Sequence, residues 1–303
     1  MKDLILTMRP AHWSKNIFVF AALVFSQKLG LPLEEVKIAV LSSIAGFICF
    51  CLASSATYIF NDIADRQVDK KHAEKSKRPI ASGKVSIYQA AALSIICAAV
   101  AVVGSYALVP QFCLIISAYL LLNVLYTLKL KNTLILDVII ISLGFVFRAV
   151  AGAVVIGVDI SPWLIICTFA LCLFLGFGKR RSELTFLKEA GPEYRKTLGA
   201  YTPELLGHML NVTSSIAIIS FLLYAMDSRT ISHFGSHHLV YTSPMVLYCV
   251  FRFSALIQKG IYAGPVELII HDKPFQIGFI LWVIACLIVI YGNMFNIDIG
   301  ITY

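Results

Sequence analysis

IAGFICFCLASSATYIF, Ile44 to Phe60, runs without a charge into NDIADRQVD, Asn61 to Asp69. An uncharged run of this kind approaches the ~20 apolar residues that carry a helix across a bilayer. Asp62, Asp65 and Asp69 then follow at i, i+3 and i+7, a spacing that gathers side chains on one face of an α-helix. The spacing predicts a stripe of carboxylates where the helix leaves the membrane. Carboxylates held that close call for a cation. Oxygen ligands at a wet site suit Mg²⁺, which keeps several waters and binds through one or two carboxylates plus substrate phosphates. The next segment is basic: Arg66, Lys70, Lys71, Lys75, Lys77, Arg78 and Lys84. Acids beside anion-binding bases at a membrane surface point to an enzyme acting on a diphosphate. The blander reading is a solvated charge cluster at the end of a span.

Composition agrees with the membrane reading. Of 303 residues, 59% are hydrophobic and 14% charged, against roughly 25% charged in an average soluble domain. The fold class is therefore all-α: a polytopic membrane bundle forming one transmembrane domain over residues 1–303. No polar stretch is long enough for a separate water-soluble domain. The first apolar run follows Lys2, Arg9 and Lys15 without a convincing cleavage site, and is expected to be retained.

Nine spans fit, at about 14–30, 36–61, 87–109, 111–128, 134–157, 161–178, 206–226, 239–257 and 276–296. Lys and Arg collect at the N-terminus and after spans two, four, six and eight, whereas the opposite loops hold only Lys28, Lys37 and Arg229. That asymmetry predicts a multi-pass protein of the inner (plasma) membrane with the N-terminus and basic loops in the cytoplasm. The end of the chain, Asp298 to Tyr303, then lies outside. The net charge of +8 is accounted for by this bias and by anionic substrates or lipid head groups, without nucleic acid. All eight cysteines fall in predicted spans, where free Cys packs as a small apolar residue, and no disulfide is expected. The histidines are weak signals, with His237 and His238 on the outer side and His12 interfacial.

A second polar cluster, GKRRSEL at Gly178 to Leu184, follows the sixth span. A polar loop from about 179 to 205 is expected to form a short helix that covers a cavity. The competing reading of KRR is a positive-inside anchor. Between the clusters lie Tyr126-Thr-Leu-Lys-Leu-Lys131, Asp137 and Arg148. Asp137 and Arg148 are about three helical turns apart and share a face. A charge as deep in a span as Arg148 costs at least ~2.5–3.5 kcal/mol and normally faces a polar cavity or a partner. That leaves either a cavity suited to phosphate or an interhelical salt bridge. Arg252 also lies within a span, near enough to its end to snorkel.

NDIADRQVDKKHAEKSKRPIASG, Asn61 to Gly83, resembles the first aspartate-rich motif and following loop of the UbiA superfamily of intramembrane prenyltransferases. RPAHWSKN, with Arg9, Pro10, Trp13, Lys15 and Asn16, is similar to the N-terminal motif of that family, and the nine-span layout agrees. The resemblance implies a UbiA-like bundle in which two acidic motifs hold Mg²⁺ against a diphosphate, above a cavity open to lipid. Most members carry a second acidic DxxxD motif where this chain has GKRRSEL, basic except for Glu183. That departure resembles the decaprenyl-phosphate phosphoribosyltransferase branch, as do YTLKLK with Asp137, FRAVAG around Arg148 and SPW at Ser161 to Trp163.

The branch implies phosphoribosyl pyrophosphate as donor and a polyprenyl monophosphate as acceptor, with pyrophosphate released. The product would be a lipid-linked phosphoribose for cell-envelope glycan synthesis, such as arabinan. On this reading Asp62, Asp65 and Asp69 bind Mg²⁺ with support from Asn61. Lys71, Lys75 and Arg78 meet the donor phosphates. Tyr126 and Lys131 border the donor, and Asp137 contacts ribose hydroxyls or holds Lys131. Arg148, Lys179, Arg180 and Arg181 take the acceptor phosphate or pyrophosphate, Glu183 supports them, and Lys15 and Asn16 close the site. Two other functions stand beside it. An ordinary UbiA-type enzyme, moving a prenyl chain from a prenyl diphosphate to an aromatic acceptor, predicts two acidic motifs, which GKRRSEL speaks against. A transporter or flippase of anionic lipids would explain Arg148, but no matched pair of broken helices is evident. Apolar faces for lipid and for subunit contact look alike, so a homo-oligomer stays open.

Overall fold

The computed structural model describes residues 2–72, 74–187 and 198–292. Every regular element among them is helical. The chain divides into two compact units, Met1–Asp159 and Ile160–Tyr303. The first holds α1 (Lys2–Thr7), a 3-10 segment (Pro10–Phe20), α2 (Ala21–Phe25), α3 (Leu33–Ala64), α4 (Arg66–Asp69), α5 (Ile87–Leu108), α6 (Pro110–Leu128) and α7 (Leu136–Val155). The second holds α8 (Pro162–Leu187), α9 (Pro203–Met226), α10 (Ser228–Phe234), α11 (Ser243–Gln258), α12 (Pro265–His271) and α13 (Lys273–Tyr291).

Eight helical stretches among the described residues are long and apolar enough to cross a membrane. Large apolar side chains stay uncovered along them, such as Ile95 (69% exposed), Leu114 (71%) and Val103 (67%). Contiguous apolar surface of this kind is unfavourable in water and suits lipid. The protein is therefore a multi-pass membrane protein. The spans predicted from the second to the ninth overlap these stretches, and the last residues of the ninth, 293–296, lie outside the described residues. The first, 14–30, differs. It is the 3-10 segment followed by the short α2, with backbone breaks at Arg9 (φ 54°) and Gln27 (φ 57°). Hydropathy reports that a segment is apolar, but does not separate a single α-helix from a broken one. The sixth span also runs further than predicted, since Lys179 to Leu187 continue α8. Residues 188–197, in the loop expected to cover a cavity, lie outside the described residues.

Local chemistry explains the breaks. Val109 is extended (φ −153°, ψ 126°) because the residue before a proline avoids the α region, so α5 stops there and α6 begins at Pro110. Ser86 and Gln89 form a capping box that starts α5, satisfying donors the first turn leaves unpaired.

In the first unit Phe50, Phe112, Ile116, Tyr119, Ala151 and Val19 form the core. The 3-10 segment is a strap laid across α3 and α7. Trp13 Nε1 donates to Ser55 Oγ (3.1 Å), and Asn16 Nδ2 donates to Ser54 Oγ (3.2 Å) and Cys51 Sγ (3.3 Å). Gly152 makes this approach possible, because a Cβ there would stand 1.9 Å from the Val19 carbonyl oxygen.

In the second unit Phe174 of α8 packs on Phe253 of α11, ring centroids 4.9 Å apart. The expectation that Arg252 would snorkel gives way to a two-pronged clamp. Its Nε and Nη2 donate to the two Asp272 carboxylate oxygens at 2.5 and 2.9 Å. Asp272 also accepts from the Phe275 N–H (2.8 Å), capping α13.

Candidate active site

The acid cluster forms where α3 ends. The chain does not continue as one helix through the three aspartates, as the spacing suggested. Asp65 sits at a break (φ −89°, ψ 0°) between α3 and α4. The break is narrow, since the Asp65 and Asp69 amides still donate to the Asn61 and Asp65 carbonyls (2.9 and 2.8 Å). Asp62 and Asp69 are buried and Asp65 is half-buried.

Each carboxylate meets a fixed cation. Arg9 donates to Asp62 Oδ1. Arg78 Nη1 bridges Asp62 Oδ1 (3.1 Å) and Asp69 Oδ2 (2.7 Å). Lys131 donates to Asp65 Oδ1. Thr127 Oγ1 donates to Asn61 Oδ1 (3.4 Å), which orients the amide beside the acids. Charge-assisted pairs of this sort are the stronger class of hydrogen bond.

The loop after α4 is held so that Arg78 reaches inward. Ile80 and Val85 are buried against Ile59 and Ala90, a small apolar plug under a polar loop. Arg66 Nε donates to the Ile80 carbonyl (3.3 Å). Arg78 precedes Pro79 and is extended (φ −60°, ψ 143°), as that neighbour requires. Of the other bases predicted for the donor, Lys71 is exposed and Lys75 half-buried on the same loop. Tyr126 is half-buried at the end of α6, one residue before Thr127. Asp137 is fully buried in the first turn of α7, where the helix dipole favours a carboxylate.

Two placements depart from the sequence reading. Asn16, expected to help close the site, is fully buried in the strap. Arg148, expected to line a phosphate cavity or form a salt bridge, shows neither arrangement. It is 4% exposed, and its Nε donates to Asn16 Oδ1 (2.7 Å), its Nη2 to the Tyr119 hydroxyl (3.0 Å) and its Nη1 to the Gly144 carbonyl (2.5 Å). The rings of Phe50, Tyr119 and Phe145 surround it at 5.0–5.6 Å. Cation–π contact stabilises such a charge without a carboxylate. Its partner Asn16 bonds Ser54, which precedes Asp62 by about two helical turns, roughly 12 Å. Arg148 therefore braces the strap against α6 and α7 beneath the acids. Lys15, the strap's other predicted residue, is exposed.

Arg9 was not among the candidates, although it pairs with buried Asp62. Its guanidinium lies 5.3 Å over the Tyr58 ring, one turn of α3 before Asp62. No spacing rule links residues so distant in sequence. Only the RPAHWSKN string marked it.

The second cluster lies in the second unit. Arg180 is buried and donates to Glu183 Oε2 (2.7 Å), while Lys179 stands 3.8 Å from Oε1 and is exposed. Arg181 donates to the Pro203 carbonyl at the start of α9. Among the described residues, Glu183 is thus shared by two bases of the cluster.

Residues 16–260 match the UbiA prenyltransferase family. The chain belongs to that family. A UbiA-family chain of this kind has close counterparts among proteins named Decaprenyl-phosphate phosphoribosyltransferase. The one from Mycolicibacterium smegmatis is 30% identical over 290 residues, covering 93% of this chain and 91% of that protein. The one from Corynebacterium glutamicum is 28% identical over 298 residues, covering 95% and 86%. The fold is that of the solved UbiA homolog from Archaeoglobus fulgidus bound to DMAPP and Mg2+, with a TM-score of 0.68 and 20% identity over 95% of this chain and 99% of that one.

The donor set of the acid cluster fits a hard divalent cation in part. It is all oxygen, and Asp62 Oδ2, Asp65 Oδ2 and Asp69 Oδ1 stay outside the ion pairs above. No group of three or more acidic, His or Cys side chains among the described residues converges on one metal position. The site therefore suits an ion that takes one or two carboxylates and completes its shell from water and substrate.

Proposed function

We propose that this UbiA-family protein transfers 5-phosphoribosyl from phosphoribosyl pyrophosphate to a polyprenyl monophosphate. Pyrophosphate leaves, and a lipid-linked phosphoribose for cell-envelope glycans remains. The observation that supports this best is the unequal charge of the two polar clusters. The first offers three acids and suits a metal-bound diphosphate. The second offers Glu183 among Lys179, Arg180 and Arg181 and suits a bare anion. The names of the relatives, matched along nearly their whole length, point the same way.

Asp62, Asp65 and Asp69 would hold Mg²⁺ by one or two carboxylates per ion, with Asn61 oriented alongside by Thr127. The metal when bound neutralises charge on the leaving pyrophosphate. Arg78, Lys71 and Lys75 face the donor phosphates from the loop, and Lys131 and Tyr126 border the sugar, near buried Asp137. The bond from the anomeric carbon to the pyrophosphate oxygen breaks, and a lipid phosphate oxygen bonds to that carbon. That oxygen is anionic at neutral pH, so no strong general base is required. Preorganised bases such as Arg180 and Arg181 offset its charge within the second unit. On this reading the basic ends of the helices face the cytoplasm, at the plasma membrane.

Purified protein with Mg²⁺, labelled phosphoribosyl pyrophosphate and a long polyprenyl monophosphate tests this. Label should pass into the organic phase and stop doing so on chelation. No transfer, with turnover of a prenyl diphosphate and an aromatic acceptor instead, would make the chain an ordinary prenyltransferase.

A further inference from the structure

The three aspartates face three side-chain cations, Arg9, Arg78 and Lys131. The ligand-free cluster is therefore close to electrically neutral. One of its two buried carboxylates, Asp62, carries two guanidinium groups on one oxygen. A bare divalent cation approaching the carboxylate oxygens left outside these pairs meets positive charge at short range. An anionic metal–diphosphate complex does not face that cost, because the displaced guanidinium gains phosphate oxygens in exchange for the carboxylate.

Arg9 is the cation best placed to make this exchange. Its backbone is left-handed (φ 54°, ψ 59°), a conformation that costs energy for a non-glycine residue and persists only where its surroundings impose it. The surroundings do so here. The strap is tied to α3 through Trp13, Asn16 and the Ser55 hydroxyl, which donates to the Met8 carbonyl (3.0 Å). It is tied to α7 through Arg148. The side chain rests on Tyr58 and remains 19% exposed, so it can swing while its backbone stays fastened.

We propose that Arg9 is an exchangeable cation of the donor site. It holds Asp62 while the site is empty and passes to the donor's diphosphate when metal and diphosphate enter together. Divalent metal then binds this chain productively only with a diphosphate. The proposal rests on the metal–diphosphate reading above.

Equilibrium dialysis of the purified protein with Mn²⁺, with and without inorganic pyrophosphate on both sides, tests it without turnover or lipid. Metal held by pyrophosphate itself cancels across the membrane. Wild-type protein is expected to retain Mn²⁺ weakly alone and about tenfold or more tightly with pyrophosphate, in line with a charged hydrogen bond being exchanged rather than lost. Arg9→Gln is expected to raise the affinity for Mn²⁺ alone about tenfold and to shrink the effect of pyrophosphate. Arg9→Lys, which keeps the charge, should preserve the wild-type dependence and guards against a misfolded Gln variant. If wild type depends on pyrophosphate but Arg9→Gln leaves the metal-alone affinity unchanged, the role of Arg9 falls while the metal–diphosphate reading stands. If wild type binds Mn²⁺ equally well alone, the exchange falls. If no form retains Mn²⁺ under any condition, both readings fall.

Discussion

Arg148→Met separates a brace from a phosphate ligand. Methionine is of similar length and keeps apolar contact with Phe50, Tyr119 and Phe145, but offers no donor. Three hydrogen bonds are lost, to Asn16, Tyr119 and Gly144. Inside a membrane protein each is worth about 1–2 kcal/mol, and the aromatic box adds about 1–2 kcal/mol. Against this stands about 3 kcal/mol no longer spent on keeping a charge at that depth. The net is a destabilisation of about 1–5 kcal/mol. At roughly 2–4 °C per kcal/mol for a large chain, the melting temperature in detergent should fall by about 2–20 °C.

Arg148→Lys sharpens the test. An ammonium keeps the charge but cannot reproduce a planar fork to three partners, so it should be destabilised about as much as Arg148→Met. Both variants, assayed well below their melting temperatures, should show an acceptor KM close to wild type. A variant with an unchanged melting temperature and a strongly raised acceptor KM, restored by Lys, would refute the brace and return Arg148 to the substrate.

Three further outcomes follow from the geometry. Gly152→Ala places a methyl group against the Val19 carbonyl at 1.9 Å; overpacking of this kind costs about 1–3 kcal/mol or more, so a thermal melt should fall by several degrees and donor turnover should drop as the strap shifts. Asp65→Asn removes one side of a partly exposed ion pair with Lys131, worth about 0–1 kcal/mol, and should abolish metal-dependent transfer while leaving the melt nearly unchanged; full activity would remove Asp65 from the metal site. Asp272 is held below the usual carboxylate range, chiefly by the Arg252 hydrogen bonds and also by the Phe275 N–H, with burial opposing. Because its folded pKa lies below the unfolded value near 3.9, its contribution is complete above that value and is lost as pH falls through the folded pKa. The stability gap between wild type and Asp272→Asn should therefore be constant from pH 7 to about 5 and close in strong acid. A gap that closes near neutrality would contradict the clamp.

What the sequence discloses here depends on the range of the interaction. The spans are visible because burial in lipid is a local requirement, met residue by residue along each apolar run. The acid cluster is visible because its aspartates follow one another within about two turns, across the narrow break between α3 and α4. The strap is only half visible. Its residues are apolar, so 14–30 reads as a span, yet its path is dictated by Gly152, far along the chain, which lets its backbone approach α7. The cations show the same limit. Lys131 and Asp65 lie 66 residues apart, and Arg148 and Asn16 lie 132 apart. The depth of Arg148 shows that it needs a partner, but an amide and three aromatic rings leave no charge pattern in sequence. Without that pattern the neighbouring phosphate chemistry was the natural assignment for it.

Arg9 carries the argument one step further. Its charge is ordinary for an N-terminal segment, and positive-inside bias alone would explain it. What removes it from that class is the conjunction of a strained backbone, a ring beneath the guanidinium and a buried carboxylate at its tip. A topology signal needs none of these, because any lysine or arginine at the same depth would serve. A residue that must meet Asp62 in one state and a phosphate in another needs all three. The strap fixes the backbone, Tyr58 supports the side chain, and Asp62 keeps the cation in reserve.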